Sequence, residues 1–388
     1  ALIMLPHTLG HGGHIHRSPI LNRAVGLKGQ YVSVAMPMHS TQQGKMERRL
    51  RHLFTVTGIG LGCYAHSRRY RPQGSRCKAT ESQRSESERF QEWRGYPVRC
   101  VKVGDGSKNL HIVLVHGFGG SIEYWRRLIP ALSTEGYTVH AFDLLGLGLS
   151  EKPQIEYSIE LWAEQVTDFV KTLGTENVVL VGNSFGSLIS LVSATKLRPK
   201  GIVMLNCAVG MNNKNMIKSP KMNDFQRAVA TFALSVIDLL FKSPLLEMAF
   251  NSFATKDQVS SVLKNLYPTN PAAVDDELAD GFVRPSQTPG ALEVLRQIYT
   301  GDPGPTPMQI LDGSLVDLPL KVIWGDQDSL TPIQGDVGSF LQQLAKERKS
   351  IDFEIISAGH LPHDENPMAV NKAVLEWLAR EPWFVRSS

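Results

Sequence analysis

Short runs of Val, Ile and Leu recur along this 388-residue chain from Tyr96 onward, separated by segments whose apolar residues return with helical spacing. Strands of this composition are typical of a parallel sheet that is covered by helices on both faces. The sequence therefore predicts an α/β fold with a mostly parallel central sheet and flanking helices. The predicted strands are Val98–Val103, Ile112–Val115, Thr138–Phe142, Asn177–Val181, Gly201–Leu205, Leu320–Trp324 and Asp352–Ile356.

The strand–helix alternation lapses over residues 207–311, where the sequence is helical and lacks strand-like runs. We interpret this segment as a helical cap inserted after the strand Gly201–Leu205, between core segments 96–206 and 312–388. Within it, Val229–Phe241 is almost entirely apolar but too short to span a membrane. It is either a buried core helix or a cap helix that faces an apolar substrate or a membrane surface. We favour the cap because the α/β pattern resumes afterwards.

Residues 1–80 differ from the rest of the chain in charge. They hold twelve of the 41 Lys and Arg and one of the 37 acidic residues, which leaves a net charge of −7 for the remainder. An Arg-rich, acid-poor N-terminus is typical of an organelle transit peptide. A nucleic-acid-binding arm and a plain disordered tail are the alternatives, but the acidic body carries no nucleic-acid-binding motif. We therefore predict a disordered transit peptide over 1–80, a polar linker over 81–95 and no nucleic-acid partner.

The segment Gly182–Gly186 has the pattern Gly-x-Ser-x-Gly and stands between a predicted strand and a helical run. In this context the pattern is typical of a nucleophile elbow, where small residues on either side allow a sharp turn. The turn places the serine hydroxyl at the carboxyl edge of the sheet, beside a helix N-terminus whose dipole favours an oxyanion. Ser184 is therefore the predicted nucleophile.

A serine nucleophile needs a base and an acid that orients this base. Asp328 follows one predicted strand and His360 follows the next, and the order Ser, Asp, His is that of α/β-hydrolases. Asp326 is an alternative acid, although its place next to the strand end favours a turn-forming role. His363 is an alternative base, although a Gly-His pair at a strand end fits better. If all three were ordinary loop residues, their three strand-end positions would be a coincidence.

Two backbone N–H groups are needed to hold the oxyanion. Phe185 follows the nucleophile, and Phe118 lies in the glycine-rich loop after the strand Ile112–Val115. These glycines do not have the G-x-G-x-x-G spacing of a dinucleotide site. The His and Cys residues of the body lack metal-ligand spacing, and four cysteines are too few for a disulfide-stapled scaffold. We predict Phe118 and Phe185 as oxyanion donors, with no metal and no cofactor.

With these motifs, residues 96–381 resemble the α/β-hydrolase superfamily, which also has a His-Gly pair like His116-Gly117 and a loop like Asp143–Ser150. Within the superfamily the chain is similar to the plastid pheophytinase and chlorophyll dephytylase group. Three passages carry this closer likeness: Leu161–Gln165, Tyr299–Pro307 and Gly359–Asp364.

The resemblance implies a serine esterase of the chloroplast that hydrolyses the phytyl ester of chlorophyll or a related tetrapyrrole. Any magnesium would belong to the substrate and not to a protein site. Peripheral contact between the cap and the thylakoid membrane is a further expectation. Leu145 and Leu147 stand where many members carry Arg or His and predict an apolar rim. Such a rim favours a long isoprenoid alcohol by about 0.8 kcal/mol per buried CH₂.

An apolar rim does not distinguish phytyl esters from fatty-acyl lipids. A plastid lipase or acyl-ester hydrolase with the same triad is therefore the alternative function. A non-catalytic binding protein of this fold would be expected to have a broken triad, and the triad here is whole. Epoxide hydrolases and dehalogenases in their usual form require a carboxylate in place of Ser184.

Overall fold

The computed structural model describes residues 88–244, 246–247 and 255–380. The predicted transit peptide, residues 1–80, lies outside the described residues, as do residues 81–87 of the predicted linker. In the described part of the chain, no helix combines the length and the apolar character needed to cross a bilayer.

Eight strands form one sheet in the spatial order β1-β2-β4-β3-β5-β6-β7-β8. The pairings from β4 through β8 are parallel, and only the two pairings made by β2 are antiparallel. The predicted mostly parallel sheet is thereby confirmed. The strands are β1 Glu88–Trp93, β2 Tyr96–Val103, β3 His111–Val115, β4 Thr138–Phe142, β5 Val178–Asn183, β6 Gly201–Leu205, β7 Leu320–Gly325 and β8 Ile351–Ile356.

Helices cover both faces of the sheet because residues alternate between the faces along each strand. Val113 and Val115 of β3 belong to one core cluster and Ile112 and Leu114 to the other. Helices α2, α3 and α9 contribute to the first cluster, and α1 and α11 to the second. The described α-helices are α1 Leu128–Thr134, α2 Ile159–Thr172, α3 Phe185–Leu197, α4 Asp224–Lys242, α5 Lys256–Leu266, α6 Asp276–Ser286, α7 Ala291–Thr300, α8 Pro307–Gly313, α9 Asp336–Glu347, α10 Pro362–Glu365 and α11 Pro367–Arg380.

Residues 88–95, which the sequence analysis assigned to the linker, form β1 and the tight turn into β2, so this part of the prediction is wrong. Arg94 and Gly95 at the turn have φ values of 53° and 84°, as a two-residue hairpin requires. β1 is an edge strand whose side chains are mostly exposed. It therefore lacks the apolar run by which the other strands were recognised.

Helices α4–α7 lie between β6 and β7, so the predicted helical insertion after the sixth strand is confirmed. The apolar run Val229–Phe241 belongs to α4, where only Phe241 is buried. The interpretation as a buried core helix is therefore wrong. The cap also touches the carboxyl edge of the sheet, because the Leu266 carbonyl at the end of α5 accepts a hydrogen bond from the His360 N–H (3.2 Å).

Candidate active site

Ser184 occupies the turn between β5 and α3, with φ 56° and ψ −125°. A non-glycine residue in this region is strained and persists only where its surroundings hold it. Here the Ser184 N–H donates to the Leu205 carbonyl (2.9 Å), and the Ser184 carbonyl accepts from the Ala208 N–H (3.2 Å). The strand β6 and the loop after it therefore fix the backbone of the predicted nucleophile.

The two glycines of the elbow leave space for close backbone contacts, as the sequence pattern predicted. A Cβ on Gly182 would lie 2.4 Å from the Gly186 backbone, and a Cβ on Gly186 would lie 2.1 Å from the Val115 carbonyl oxygen. Both distances are far below a van der Waals contact. The nucleophile turn therefore packs directly against the end of β3.

We expect Gly186→Ala to lower the free energy of unfolding by about 3 kcal/mol, because the added methyl group must displace backbone atoms of β3. Urea unfolding measures this loss. Gly313→Ala is the matched control, since a Cβ there meets nothing within 4 Å. Equal stability of the two variants would contradict the tight packing at the elbow.

The carboxylate of Asp328 is buried and accepts hydrogen bonds at both oxygens. Oδ2 accepts from Asn206 Nδ2 (2.5 Å) and Thr331 Oγ1 (2.5 Å), and Oδ1 accepts from the N–H groups of Leu330 and Thr331 (2.7 and 3.0 Å). Burial by itself raises the pKa of Asp328, but the charge of His360 and these hydrogen bonds outweigh it and lower the pKa to about 2. Asp328 is therefore an ionised acceptor at neutral pH.

His360 lies beside this carboxylate, and its Nδ1–H donates to Asp328 Oδ2 (2.8 Å). Because an ionised carboxylate can only accept, this bond leaves the Nε2 lone pair of His360 free to act as a base. The His360 carbonyl accepts from Asn183 Nδ2 (3.1 Å), so the histidine loop is bonded to the residue that precedes Ser184. In this conformation of the described residues, the Ser184 hydroxyl makes no hydrogen bond to His360.

The two residues predicted to donate to the oxyanion lie on segments that run beside the serine. Phe185 is the first residue of α3, so its N–H has no acceptor within the helix. The Phe118 N–H has no acceptor among the described residues. The rings of Phe118 and Phe185 are 6.4 Å apart, and a Cβ on Gly117 would lie 3.1 Å from Ser184 Cβ. The glycine-rich loop therefore runs alongside the predicted nucleophile.

The alternative acid and base take other roles. Asp326 is exposed, and its Oδ1 accepts from the Ala358 N–H (3.2 Å), so it joins the loops after β7 and β8 and does not form the local turn expected of it. The His363 ring is buried between Tyr124 and Trp125, with ring centroids 4.6 and 4.5 Å away. Burial lowers the pKa of His363 to about 3. These two residues are therefore poorly placed to act as catalytic acid and base.

Several positioning residues were missed by the sequence analysis. Asn206 and Thr331 hold Asp328, and Asn183 joins the serine and histidine loops. Tyr124 donates its hydroxyl to Asn183 Oδ1. Asn206 directly follows β6, so the rule used to find Asp328 and His360, a polar residue at a strand end, could have indicated it as well. Thr331 lies only three residues after Asp328, whereas the contacts of Asn183 and Tyr124 depend on how separate loops pack.

Aromatic side chains from the cap surround the glycine-rich loop. The Tyr299 ring packs edge-on against Phe118 at 5.9 Å, and a Cβ on Gly119 would lie 3.6 Å from the Phe282 ring. Leu145 and Leu147, predicted as an apolar rim, are instead buried in the core cluster of Phe185. Tyr299 and Phe282 of the cap therefore add apolar surface beside the glycine-rich loop.

The family model described as the α/β hydrolase fold matches residues 111–367, which includes every element just described from β3 to the start of α11. The chain belongs to the α/β-hydrolase fold family. It is thus a hydrolase of this fold, as the sequence analysis predicted. Among the residues that the structure describes, no three His, Cys, Asp or Glu side chains are grouped as metal ligands would be.

Relatives in this family have diverse names. The chain is similar to a soluble epoxide hydrolase of Corynebacterium sp. (28% identity over 293 residues, covering 74% of this chain and 94% of the relative). It is also similar to the chloroplastic pheophytinase of Arabidopsis thaliana (25% over 307 residues, covering 69% of this chain and 60% of the relative). The solved structure of the epoxide hydrolase CorEH matches with a TM-score of 0.58 at 23% identity, covering 76% of this chain and 98% of that chain. This last likeness concerns the fold alone.

Proposed function

We propose that the protein is a serine hydrolase of carboxylic esters, with Ser184 as nucleophile, His360 as base and Asp328 as the orienting acid. The observation that carries this proposal is the buried Asp328–His360 hydrogen bond (2.8 Å), tied through Asn183 to the strained turn that bears the serine. A serine at this turn favours ester hydrolysis over epoxide opening, for which the usual nucleophile is a carboxylate.

In this mechanism His360 Nε2 accepts the hydroxyl proton as Ser184 Oγ attacks the ester carbonyl, and the imidazolium is stabilised by Asp328. Proton transfer requires the serine and histidine side chains to come within hydrogen-bond distance, which substrate binding favours by enclosing them. The N–H groups of Phe118 and Phe185 hold the oxyanion. His360 then protonates the leaving alcohol, and water cleaves the acyl-enzyme by the reverse proton transfers.

We further propose that the substrate is the phytyl ester of chlorophyll or a related tetrapyrrole. The apolar residues around the oxyanion loop, Phe118, Phe282 and Tyr299, suit a long isoprenoid chain. Each CH₂ of this chain contributes about 0.8 kcal/mol when buried. The likeness to a chloroplastic pheophytinase and the three similar passages support this substrate and a chloroplast location.

The test compares chlorophyll and pheophytin with the same tetrapyrroles esterified to ethanol, using the full chain and its Ser184→Ala variant. We expect the phytyl esters to have a kcat/KM about 100-fold higher than the ethyl esters, because several additional CH₂ groups are buried in the transition state. Chromatography of the dephytylated acid measures both reactions.

The outcomes test separately whether the protein is an ester hydrolase and whether its substrate is a phytyl ester. Hydrolysis of galactolipids or acylglycerols without hydrolysis of the pigments would identify the alternative, an acyl-ester hydrolase with the same triad. Hydrolysis of a nitrophenyl ester alone would retain the esterase and reject both substrates. No hydrolysis of any ester by the folded protein would reject the enzyme.

A further inference from the structure

Helix α4 has an apolar face that no described part of the protein covers. Phe225, Phe232 and Leu239 are 74%, 72% and 70% exposed, and Val236 and Leu240 are exposed beside them. Their spacing places all five on one side of the helix, which we call the docking face. A contiguous exposed surface of large apolar side chains is typical of an interaction site.

The same helix contacts the active site through its inner face. Phe241 stacks on Tyr299 with ring centroids 4.2 Å apart, and Tyr299 packs against Phe118 of the oxyanion loop. Two ring contacts therefore connect α4 to the loop beside Ser184. A surface that binds the docking face would lie on the outer side of a helix that also borders the catalytic site.

Charge distinguishes the region around α4 from the rest of the body. Residues 213–242 hold five Lys or Arg and two Asp, although residues 81–388 have a net charge of −7. Lys214 is paired with Asp238 (3.2 Å). Lys218 and Lys242 are exposed and have no carboxylate partner among the described residues. An exposed apolar face on a helix in a net basic segment is complementary to a membrane surface that carries anionic headgroups.

We propose that α4 is an interfacial helix that docks the protein on a lipid bilayer with anionic headgroups. With 19 residues the helix is about 28 Å long, and it would lie in the plane of the membrane with its docking face among the acyl chains. Lys218 and Lys242 contact the headgroups. A second copy of the chain fits this face less well, because two basic surfaces repel each other. The inference rests on the proposed function in one respect, that an ester with a long isoprenoid tail partitions into such a bilayer.

The test is flotation of the full chain with vesicles of phosphatidylcholine, with and without phosphatidylglycerol, at high salt so that attraction by the basic N-terminal residues is screened. We expect the triple variant Phe225→Ser, Phe232→Ser, Leu239→Ser to bind about 100-fold more weakly, because it loses three large apolar groups. The matched control is Met368→Ser, which removes an 85% exposed apolar side chain of α11. In a separate series at low salt, where the basic N-terminal residues act equally on both proteins, Lys218→Glu with Lys242→Glu should weaken binding relative to the parent only for the vesicles that contain phosphatidylglycerol.

Two further measurements keep the outcomes distinct. The emission of Phe232→Trp, measured as a difference from the parent protein, should shift to the blue when vesicles are added, which reports burial without a destabilising change. Ser184→Ala should float as the parent does, so that failure of the ester-hydrolase proposal leaves docking measurable. Equal flotation of the triple variant and the parent would overturn the inference. A parent that does not float, but forms dimers that the triple variant lacks, would assign the face to a second copy instead.

Discussion

Ser184→Ala is expected to lower kcat for ester hydrolysis by about five to six powers of ten, because it removes the atom that forms the acyl-enzyme. The residual activity would come from the oxyanion donors and from substrate binding. His360→Ala should cost nearly as much, and the double variant little more, because the two residues act in the same step. Initial rates on a nitrophenyl ester measure all three variants.

Matched controls separate catalysis from folding. Ser190→Ala removes a buried hydroxyl that bonds only to the Gly186 carbonyl within α3, and it should keep most of the activity. Asp328→Asn should lose about four powers of ten, by favouring the wrong tautomer of His360. Asp326→Asn should lose little. A fluorophosphonate probe should label the parent at Ser184, and a folded parent that is not labelled would support a non-catalytic protein.

The second large effect concerns stability in acid. Burial lowers the pKa of His116 to about 4 and those of His140 and His363 to about 3. Because these folded-state values lie below the unfolded value of about 6.5, the unfolded chain binds more protons as the pH falls. Burial also raises the pKa of Asp143 to about 6, so this carboxyl group binds its proton more readily in the folded state and opposes the effect of the histidines. Three histidines against one carboxyl group leave a net uptake of two protons on unfolding.

The free energy of unfolding should therefore fall by about 3 kcal/mol per pH unit between pH 6 and 5, and by less per unit between pH 7 and 6, where the histidines of the unfolded chain are only partly protonated. Urea unfolding at pH 7, 6 and 5 measures this slope. His363→Phe should lower the slope by about 1.4 kcal/mol per pH unit, since phenylalanine fits between the same two rings and does not titrate. Phe142→Leu, a buried change without titration, should reduce stability equally at all three values. If His363→Phe left the pH dependence of the free energy of unfolding unchanged, His363 would not be a neutral buried group in the folded protein.

The strand predictions were correct for strands that are buried on both faces of the sheet, because such strands are rich in apolar residues. Val, Ile and Leu make up four of the five residues of β3 and four of the six of β5, and this composition follows from their position in the middle of the sheet. β1 is polar because it lies at an edge, so a method based on apolar runs could not find it. Sequence patterns also did not predict that Leu145 and Leu147 are buried, because their burial depends on a helix that packs over them.

The sequence by itself determined the α/β fold, the insertion after the sixth strand and the elbow that bears Ser184, because periodicity and glycine spacing are local properties of the chain. It also indicated Asp328 and His360, since the carboxyl ends of parallel strands meet at one edge of the sheet. Only the tertiary structure decided that Asp328 is held by Asn206, that His363 is a buried neutral group and that α4 faces outward. These features arise from contacts between segments far apart in the sequence, and no local pattern encodes the distance between them.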